Sequence, residues 1–326
     1  MEYSEDVKLL THVEQQLCAP FAGSNTRISN TDICELWKLV SDVVFSPLWL
    51  RIRAAGLLHA CCNMEKPYLD GVIRTDAKGV QKLRAIVSST CQAVEELDAT
   101  NTKQAEQLFT WFGFLEIVMM ATHSDVFAHV NRNSMYASML TKMLRLLSAC
   151  STKVFAATVM CLGLFHDHEK KCERSVLVQE VLRDMKDGRE LVSGALLHVI
   201  NSCGCPCPTE RTVHLWNALQ LFEDILADKI ASMLVFVNDF KILIDLIIRE
   251  CADLPQKDIT RLHYLEVLEQ ALQSQLFPMT QMYRKRELCE LLESLLDAGA
   301  QDDSFMPKAV IDKIKQILVT YIDLLD

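Results

Sequence analysis

The sequence predicts an all-α protein, an armadillo- or HEAT-like solenoid of helical repeats. Apolar residues recur at helical spacing over runs too long for strands, and no segment shows convincing strand character. Glycine and proline are scarce, at 10 and 8 of 326 residues, which disfavours a β-rich or disordered chain. A dozen or more helices joined by short turns are typical of stacked repeats of about 40 to 47 residues. We therefore expect one armadillo-like domain over residues 1–326.

Capping residues, prolines and polar turns set the predicted boundaries in the first half. Thr31 or Asp32 is a candidate cap for a helix over Ile33–Phe45. Ser46-Pro47 starts the next helix, because proline is favoured in a first turn. Polar segments with glycine or proline predict loops at 20–30 and 66–71. The further helices predicted here are 4–18, 77–97, 102–122, 134–149 and 154–165.

The charged run His166–Lys171 is predicted to be a solvated turn after the apolar helix that precedes it. Beyond it, a loop over Ser202–Pro208 separates two groups of helices. The helices predicted in this half are 174–186, 189–201, 209–227, 229–252, 258–276, 281–297 and a last one ending near 325.

The segment Val235–Pro255 is predicted to be a central helix. Only Asp245 is polar between Ile242 and Ile248, and a helix so apolar must be covered on most sides. Its candidate N-caps are Asn238 and Asp239, and Pro255 sets its end.

Lys241, Asp245 and Arg249 recur every four residues along this helix and form one polar stripe. The stripe has two interpretations. Its charges lock a neighbouring helix, for instance through Arg261 or Glu266, or they bind a partner, with Arg249 as the anchor. A basic segment, Tyr283–Arg286, is a second candidate contact, since cations are unfavourable near the start of a helix.

Composition excludes several classes of function. The net charge of −10 disfavours a nucleic-acid partner. No apolar run is long enough to span a bilayer, so we expect no membrane insertion. The first residues are acidic and lack the apolar region of a secretory signal, and the 13 cysteines are predicted to be reduced thiols. Together these features predict a cytoplasmic protein.

Two clusters are candidates for metal binding or catalysis. Cys203–Cys207, with His198 and His214 nearby, offers thiolate and imidazole ligands, but its C-x-C-x-C spacing is not that of a zinc finger. His166–Glu169 offers two imidazoles and two carboxylates without convergent partners elsewhere. No nucleotide-binding, hydrolase or metalloprotease motif occurs. We expect a non-enzyme without metal or cofactor, a metalloprotein or thiol enzyme centred on Cys203–Cys207 being the alternative.

A resemblance covers residues 232–296. The run from Asn238 to Glu250, then Asp253-Leu-Pro255, then Arg261-x-x-Tyr-Leu-x-Val-Leu268 resembles the core of the WISH/DIP/SPIN family, which includes the fungal Ldb-type proteins. The resemblance implies an armadillo-like fold, in agreement with the helical pattern.

The resemblance also implies a function. Members of this family bind the actin-related protein 2/3 complex and activate it without a preformed mother filament, which gives linear seed filaments. It implies a cortical actin location, with actin or formins as further partners; the alternative is a generic armadillo-type scaffold that binds another protein such as a formin. The candidate partner-binding residues are Lys241, Arg249, Arg261, Tyr264, Arg284 and Arg286.

Overall fold

A computed structural model describes residues 3–18, 28–64, 76–184, 191–301 and 306–325, without the side chains of residues 63, 64, 300, 301 and 322. The chain divides into two compact units, Met1–Val176 and Leu177–Asp326. The single domain predicted over 1–326 stays a prediction, because successive units can belong to one helical-repeat domain. Residues 20–27 of the predicted loop 20–30, and the whole predicted loop 66–71, lie outside the described residues.

The first unit is a two-layer stack of helices. Its helices are α1 (Ser4–Cys18), α2 (Asn30–Ser41), α3 (Leu48–Met64), α4 (Ala77–Glu96), α5 (Thr102–Ala121), α6 (Ser124–Ala128), α7 (Ser134–Leu146) and α8 (Thr152–Lys171). In one layer α3 packs on α5 and α5 packs on α8; in the other α2 packs on α4 and α4 on α7. The side chains between the layers include the fully buried Trp111, Phe112 and Leu115 of α5.

The second unit repeats this arrangement. Its helices are α9 (Leu182–Asp184), α10 (Val192–Ser202), α11 (Thr212–Ala227), α12 (Val237–Asp253), α13 (Thr260–Gln273), α14 (Leu276–Met279), α15 (Lys285–Gln301) and α16 (Lys308–Leu325). The unit begins with a π-helical turn, Leu177–Val181, and a 3-10 turn, Ala231–Leu234, precedes α12. The layer α10–α12–α15 packs against the layer α11–α13–α16, each helix touching the next in its layer.

The predicted fold class is confirmed. The described ranges contain helices and no strand, and paired helices stack on one another within each unit as in a helical-repeat protein. None of the helices in these ranges is long and apolar enough to cross a membrane.

Several predicted helix starts were wrong by a few residues. Helix α2 is capped by Ser29, whose hydroxyl accepts from the Asp32 amide at 3.1 Å, and not by Thr31 or Asp32. Helix α12 starts at Val237, so Asn238 and Asp239 lie inside its first turn and do not cap it. The end of α12 agrees with the prediction: Leu254 is extended before the proline.

The solvated turn predicted at His166–Lys171 was also wrong, because these residues complete α8. His166 and Glu169 are fully buried, and His168 is nearly so. The Tyr136 hydroxyl donates to the Glu169 carboxylate at 2.7 Å, and a nitrogen of the His168 ring lies 2.9 Å from the Met119 carbonyl. Burial lowers the pKa of His168 despite this contact. Hydrogen-bond partners on α5 and α7 make this burial of polar groups tolerable.

Candidate partner-binding site

A groove lies along the outer face of α12 in the second unit. It has a volume of about 550 Å³ and is bounded by α10, α12 and the start of α15. Leu197, Ile242 and Leu246 are its apolar lining, while Asp239, Asp245, Arg249 and Arg284 supply charges of both signs. The remaining lining residues are Gly194, His198 and Asn201.

The groove exists because only one side of α12 is left uncovered. Phe240, Leu243, Ile244 and Ile247 are fully buried, which confirms the central position of this helix in its unit. The uncovered face is less polar than the predicted stripe, since Ile242 is 48% exposed between its charged neighbours. A single exposed aliphatic side chain is normal on a protein surface, so Ile242 is informative only because Leu197 and Leu246 line the same groove.

Asp245 joins α12 to the turn before α15. Its carboxylate accepts from Nη1 of Arg284 at 2.8 Å and from the Tyr283 hydroxyl at 3.4 Å. The hydrogen bond to Asp245 is the main cause of a raised pKa at Arg284. Lys241 lies over the Tyr283 ring, with Nζ 5.4 Å from the ring centroid. The stripe therefore locks a neighbouring element, as one interpretation expected, but through Tyr283 and Arg284 and not through Arg261 or Glu266.

The turn that contains Tyr283 and Arg284 has an unusual backbone conformation. Gln281, Met282 and Arg284 have φ values of 58°, 53° and 53°, the left-handed region that residues with a Cβ avoid. Such conformations cost about 1–2 kcal/mol each and persist where surrounding contacts enforce them. The contacts with Asp245 and Lys241 are of that kind.

Arg249 lies at the other end of the groove with half of its side chain exposed. It donates to Oδ1 of Asn201 on α10 at 2.9 Å and to the carboxylate of Glu250 at 2.6 Å. Glu250 is buried, so part of the charge of Arg249 is neutralised within the protein. The guanidinium still presents one face to solvent beside the groove.

Arg261 and Tyr264 are each only 1% exposed, so their side chains do not reach the surface. The Arg261 guanidinium donates to the carbonyls of Cys251 (3.0 Å) and Leu254, and at 3.3 Å to those of Pro255 and Gln256. The Cys251 carbonyl belongs to the last turn of α12, where a helix leaves its carbonyls unsatisfied, and the other three acceptors follow directly after the helix. Arg261 therefore holds the C-terminal end of α12 in place. Burial raises the pKa of Tyr264.

Arg286 occupies the first turn of α15 outside the groove. Its side chain is 87% exposed and reaches Glu290 at 2.9 Å. Of the six predicted residues, the structure thus places Arg249 and Arg284 on the groove and Lys241 beside it, Arg286 on the surface nearby, and Arg261 and Tyr264 in the core. The groove residues of α10, such as Leu197 and Asn201, carry no motif and were missed.

The cysteine-rich loop lies close to the C-terminal end of α12. Cys203 is buried and Cys205 is exposed. The pKa of Cys205 is raised to about 12 by partial burial and by the carboxylate of Glu250. Within the described ranges, no three His, Cys, Asp or Glu side chains are grouped so that they could hold a metal ion.

Comparison with known proteins identifies the region that contains the groove. The family model described as SPIN90/Ldb17, leucine-rich domain, matches residues 159–288. A comparison with curated proteins gave no match. The matched family is of a non-enzymatic, adaptor type, and it suggests an actin-associated role with partners in the actin machinery. The resemblance to the WISH/DIP/SPIN family is thereby confirmed: residues 159–288 of this chain match the model of the SPIN90/Ldb17 leucine-rich domain.

Proposed function

We propose that the protein activates the actin-related protein 2/3 complex without covalent chemistry and nucleates linear seed actin filaments in the absence of a mother filament. The observation that carries the proposal is the location of the groove: all of its lining residues, from Gly194 to Arg284, fall within the matched residues 159–288. Such a protein would act at the cortical actin cytoskeleton.

In this proposal the groove of the second unit binds a long helix of a scaffold subunit of the complex. An apolar lining with Ile242 exposed suits the apolar stripe of a helix, as in other helix-in-groove interfaces. Arg249 and Arg284 suit acidic residues beside that stripe. Lys241 and Arg286 lie next to this face and add positive charge, whereas Arg261 and Tyr264 contribute by holding α12.

Activation by binding requires a difference in affinity between two states of the complex. A ligand shifts an equilibrium only as far as it prefers one state. Moving an inactive-to-active ratio from 99:1 to 1:99 needs a preference of about 10⁴, or about 5.5 kcal/mol. The cost of ordering the groove is the same for both states, so the preference has to come from contacts that only the active state offers.

The test is pyrene-actin polymerisation with the purified complex, this protein, and neither seed filaments nor a Wiskott–Aldrich-type activator. We expect a dose-dependent loss of the lag that requires the complex, and unbranched filaments by microscopy. A flat response from folded, saturating protein would refute the proposal and leave the scaffold alternative. Binding assays with formins and other cortical actin proteins would then follow.

Variants distinguish a direct contact of the arginines with the complex from a role of the same arginines in holding the groove together. Arg249→Glu and Arg284→Glu should each reduce activation at least tenfold, while Lys315→Glu, an exposed change on α16 away from the groove, should have no effect. Arg284→Glu also breaks the hydrogen bond to Asp245, so its effect alone does not identify the cause. The double variant Asp245→Arg/Arg284→Glu, which exchanges the two charges and keeps the pair, serves as the control. If the arginine served only to fix Asp245, this exchange would restore activity; if it contacts the partner, activity stays low.

A further inference from the structure

A second groove lies in the first unit, outside the matched residues. It has a volume of about 690 Å³ and runs between α3 and α5, with Glu14 of α1 at its edge. From α3 it is lined by Trp49, Ile52, Arg53, Gly56 and Leu57, and from α5 by Lys103, Glu106, Gln107 and Thr110. The lining of α3 extends over nine residues, from Trp49 to Leu57, a rise of about 12 Å, which accommodates two turns of another helix.

Gly56 shapes the floor of this groove. A Cβ at position 56 would lie 2.9 Å from the Cγ2 of Thr110, closer than real Cβ contacts. Glycine thus allows α3 and α5 to approach and leaves a shallow channel where a larger side chain would stand. The floor is apolar, with Ile52 and Leu57 both buried.

An exposed apolar cluster precedes the groove along the chain. Val44 is 81% exposed, Phe45 77% and Trp49 46%. Isolated exposed apolar residues are normal, but here three lie within six positions of the chain, and the last of them, Trp49, lines the groove. The indole N–H of Trp49 donates no hydrogen bond within the described part of the chain. Half-exposed tryptophan is a frequent anchor of protein interfaces.

Hydrogen bonds hold this cluster toward solvent. Asp42 accepts from the amides of Val44 and Phe45 at 3.2 and 3.0 Å. Arg51 is buried and donates to the Ser46 carbonyl at 3.0 Å, and its other nitrogens donate to α4. The apolar side chains are therefore presented by a braced turn, which lowers the entropy cost of binding.

The charges around the groove specify the sign of an occupant. Arg53 donates to both carboxylate oxygens of Glu14, at 2.7 and 2.5 Å, and lowers the pKa of that carboxyl. Glu106 forms an ion pair with Lys153, whose Nζ lies 3.7 Å from its Oε1. Lys103 has no counter-ion among the described residues. Of the four charged side chains on the lining, Lys103 is thus the one without an ion pair in the described part of the chain.

We propose that the α3–α5 groove binds an amphipathic helix of a partner protein, which places its apolar stripe on Trp49 and the groove floor and an acidic residue on Lys103. An anionic membrane is disfavoured as the occupant because the chain carries a net charge of −10. This surface is separate from the groove along α12 and does not rest on the function proposed for that site.

Two fluorescent helical peptides of about 14 residues test the proposal. They share a leucine stripe at helical spacing and differ only in flanking residues, glutamate in one and lysine in the other. By fluorescence anisotropy, the glutamate peptide should saturate the full chain and bind at least tenfold more tightly than the lysine peptide. Trp49→Ala should weaken both peptides, and Lys103→Glu should reverse the preference.

Matched controls use exposed residues of the same unit that do not line the groove. Lys78→Glu and Met120→Ala should leave the affinities and their order unchanged. No saturable binding, equal binding of the two peptides, or binding insensitive to Trp49→Ala and Lys103→Glu would overturn the proposal. So would self-association that Trp49→Ala abolishes in sedimentation, or Trp49-dependent uptake on anionic vesicles, since each assigns the surface to another occupant.

Discussion

Replacing Arg261 by methionine tests how α12 is held. Methionine keeps much of the aliphatic volume but removes all four hydrogen bonds to the carbonyls at and just beyond the end of α12. Those to Pro255 and Gln256 are only partly buried, so water can replace them. Those to Cys251 and Leu254 are buried, and the carbonyls would be left without a donor.

Hydrogen bonds that involve a charged group contribute about 1.5–3 kcal/mol each. Removing a buried charge also recovers desolvation energy, because burial already lowers the pKa of this guanidinium. We therefore expect a net loss of about 3 kcal/mol from the stability of the second unit. With a urea dependence of about 2 kcal/mol per molar, the midpoint should fall by about 1.5 M.

Hydrogen exchange followed by mass spectrometry locates the effect, since the two units need not unfold together. Amides of residues 250–262 should exchange about a hundredfold faster in Arg261→Met, while unit 1 stays unchanged. Arg286→Met is the control, because its exposed pair with Glu290 should contribute less than about 1 kcal/mol. Equal stability and equal exchange in Arg261→Met and the native protein would show that these hydrogen bonds do not hold α12.

Three further predictions concern other parts of the chain. Tyr136→Phe leaves the buried Glu169 without its 2.7 Å donor and should cost about 1–3 kcal/mol in urea unfolding, whereas Tyr3→Phe, which loses an exposed 3.4 Å contact, should be neutral. Gln281→Gly relieves a left-handed residue and should stabilise by up to about 1 kcal/mol; Gln270→Gly inside α13 should destabilise by a similar amount, and equal signs would contradict the strain argument. Iodoacetamide at neutral pH should label the exposed Cys18 and Cys34 before Cys205, whose pKa is raised to about 12; early labelling of Cys205 would contradict that shift.

Periodicity predicted most of the fold. Helix α1 spans 4–18 as expected, and α4 and α5 end within one residue of their predicted ends. The error at His166–Lys171 has a physical cause. A charged run is usually solvated, but here the buried Glu169 accepts a hydrogen bond from Tyr136 of α7, which lies 33 positions earlier in the chain. Single-sequence patterns contain no information on such distant donors.

The candidate site could likewise be predicted only where it depends on local spacing. Spacing alone placed Lys241, Asp245 and Arg249 on one face of α12. It could not identify Arg284 as the partner of Asp245, because that contact spans 39 positions and depends on left-handed residues that are not glycine. The burial of Arg261 was equally hidden, since four main-chain carbonyls satisfy it and a carbonyl leaves no signature in a side-chain pattern.

Four polar links fix α12 to its surroundings, and together they bear on function. Near its start, Ser193 of α10 donates to Asp239 at 2.6 Å, and in the middle Asp245 binds Arg284. Toward its end, Arg249 donates to Asn201 of α10, and Arg261 binds the carbonyls at and just beyond the last turn. A helix held at four points gives a groove whose shape is set before a partner arrives, so a partner need not supply the free energy of ordering it. These links differ in their exposure to solvent. The bond to Arg261 is buried and can only affect binding through the position of α12, whereas Arg284 lies at the surface and can exchange Asp245 for a carboxylate of the partner. Loss of activity in Arg261→Met should therefore follow loss of stability, and loss of activity in the Arg284 variants should not.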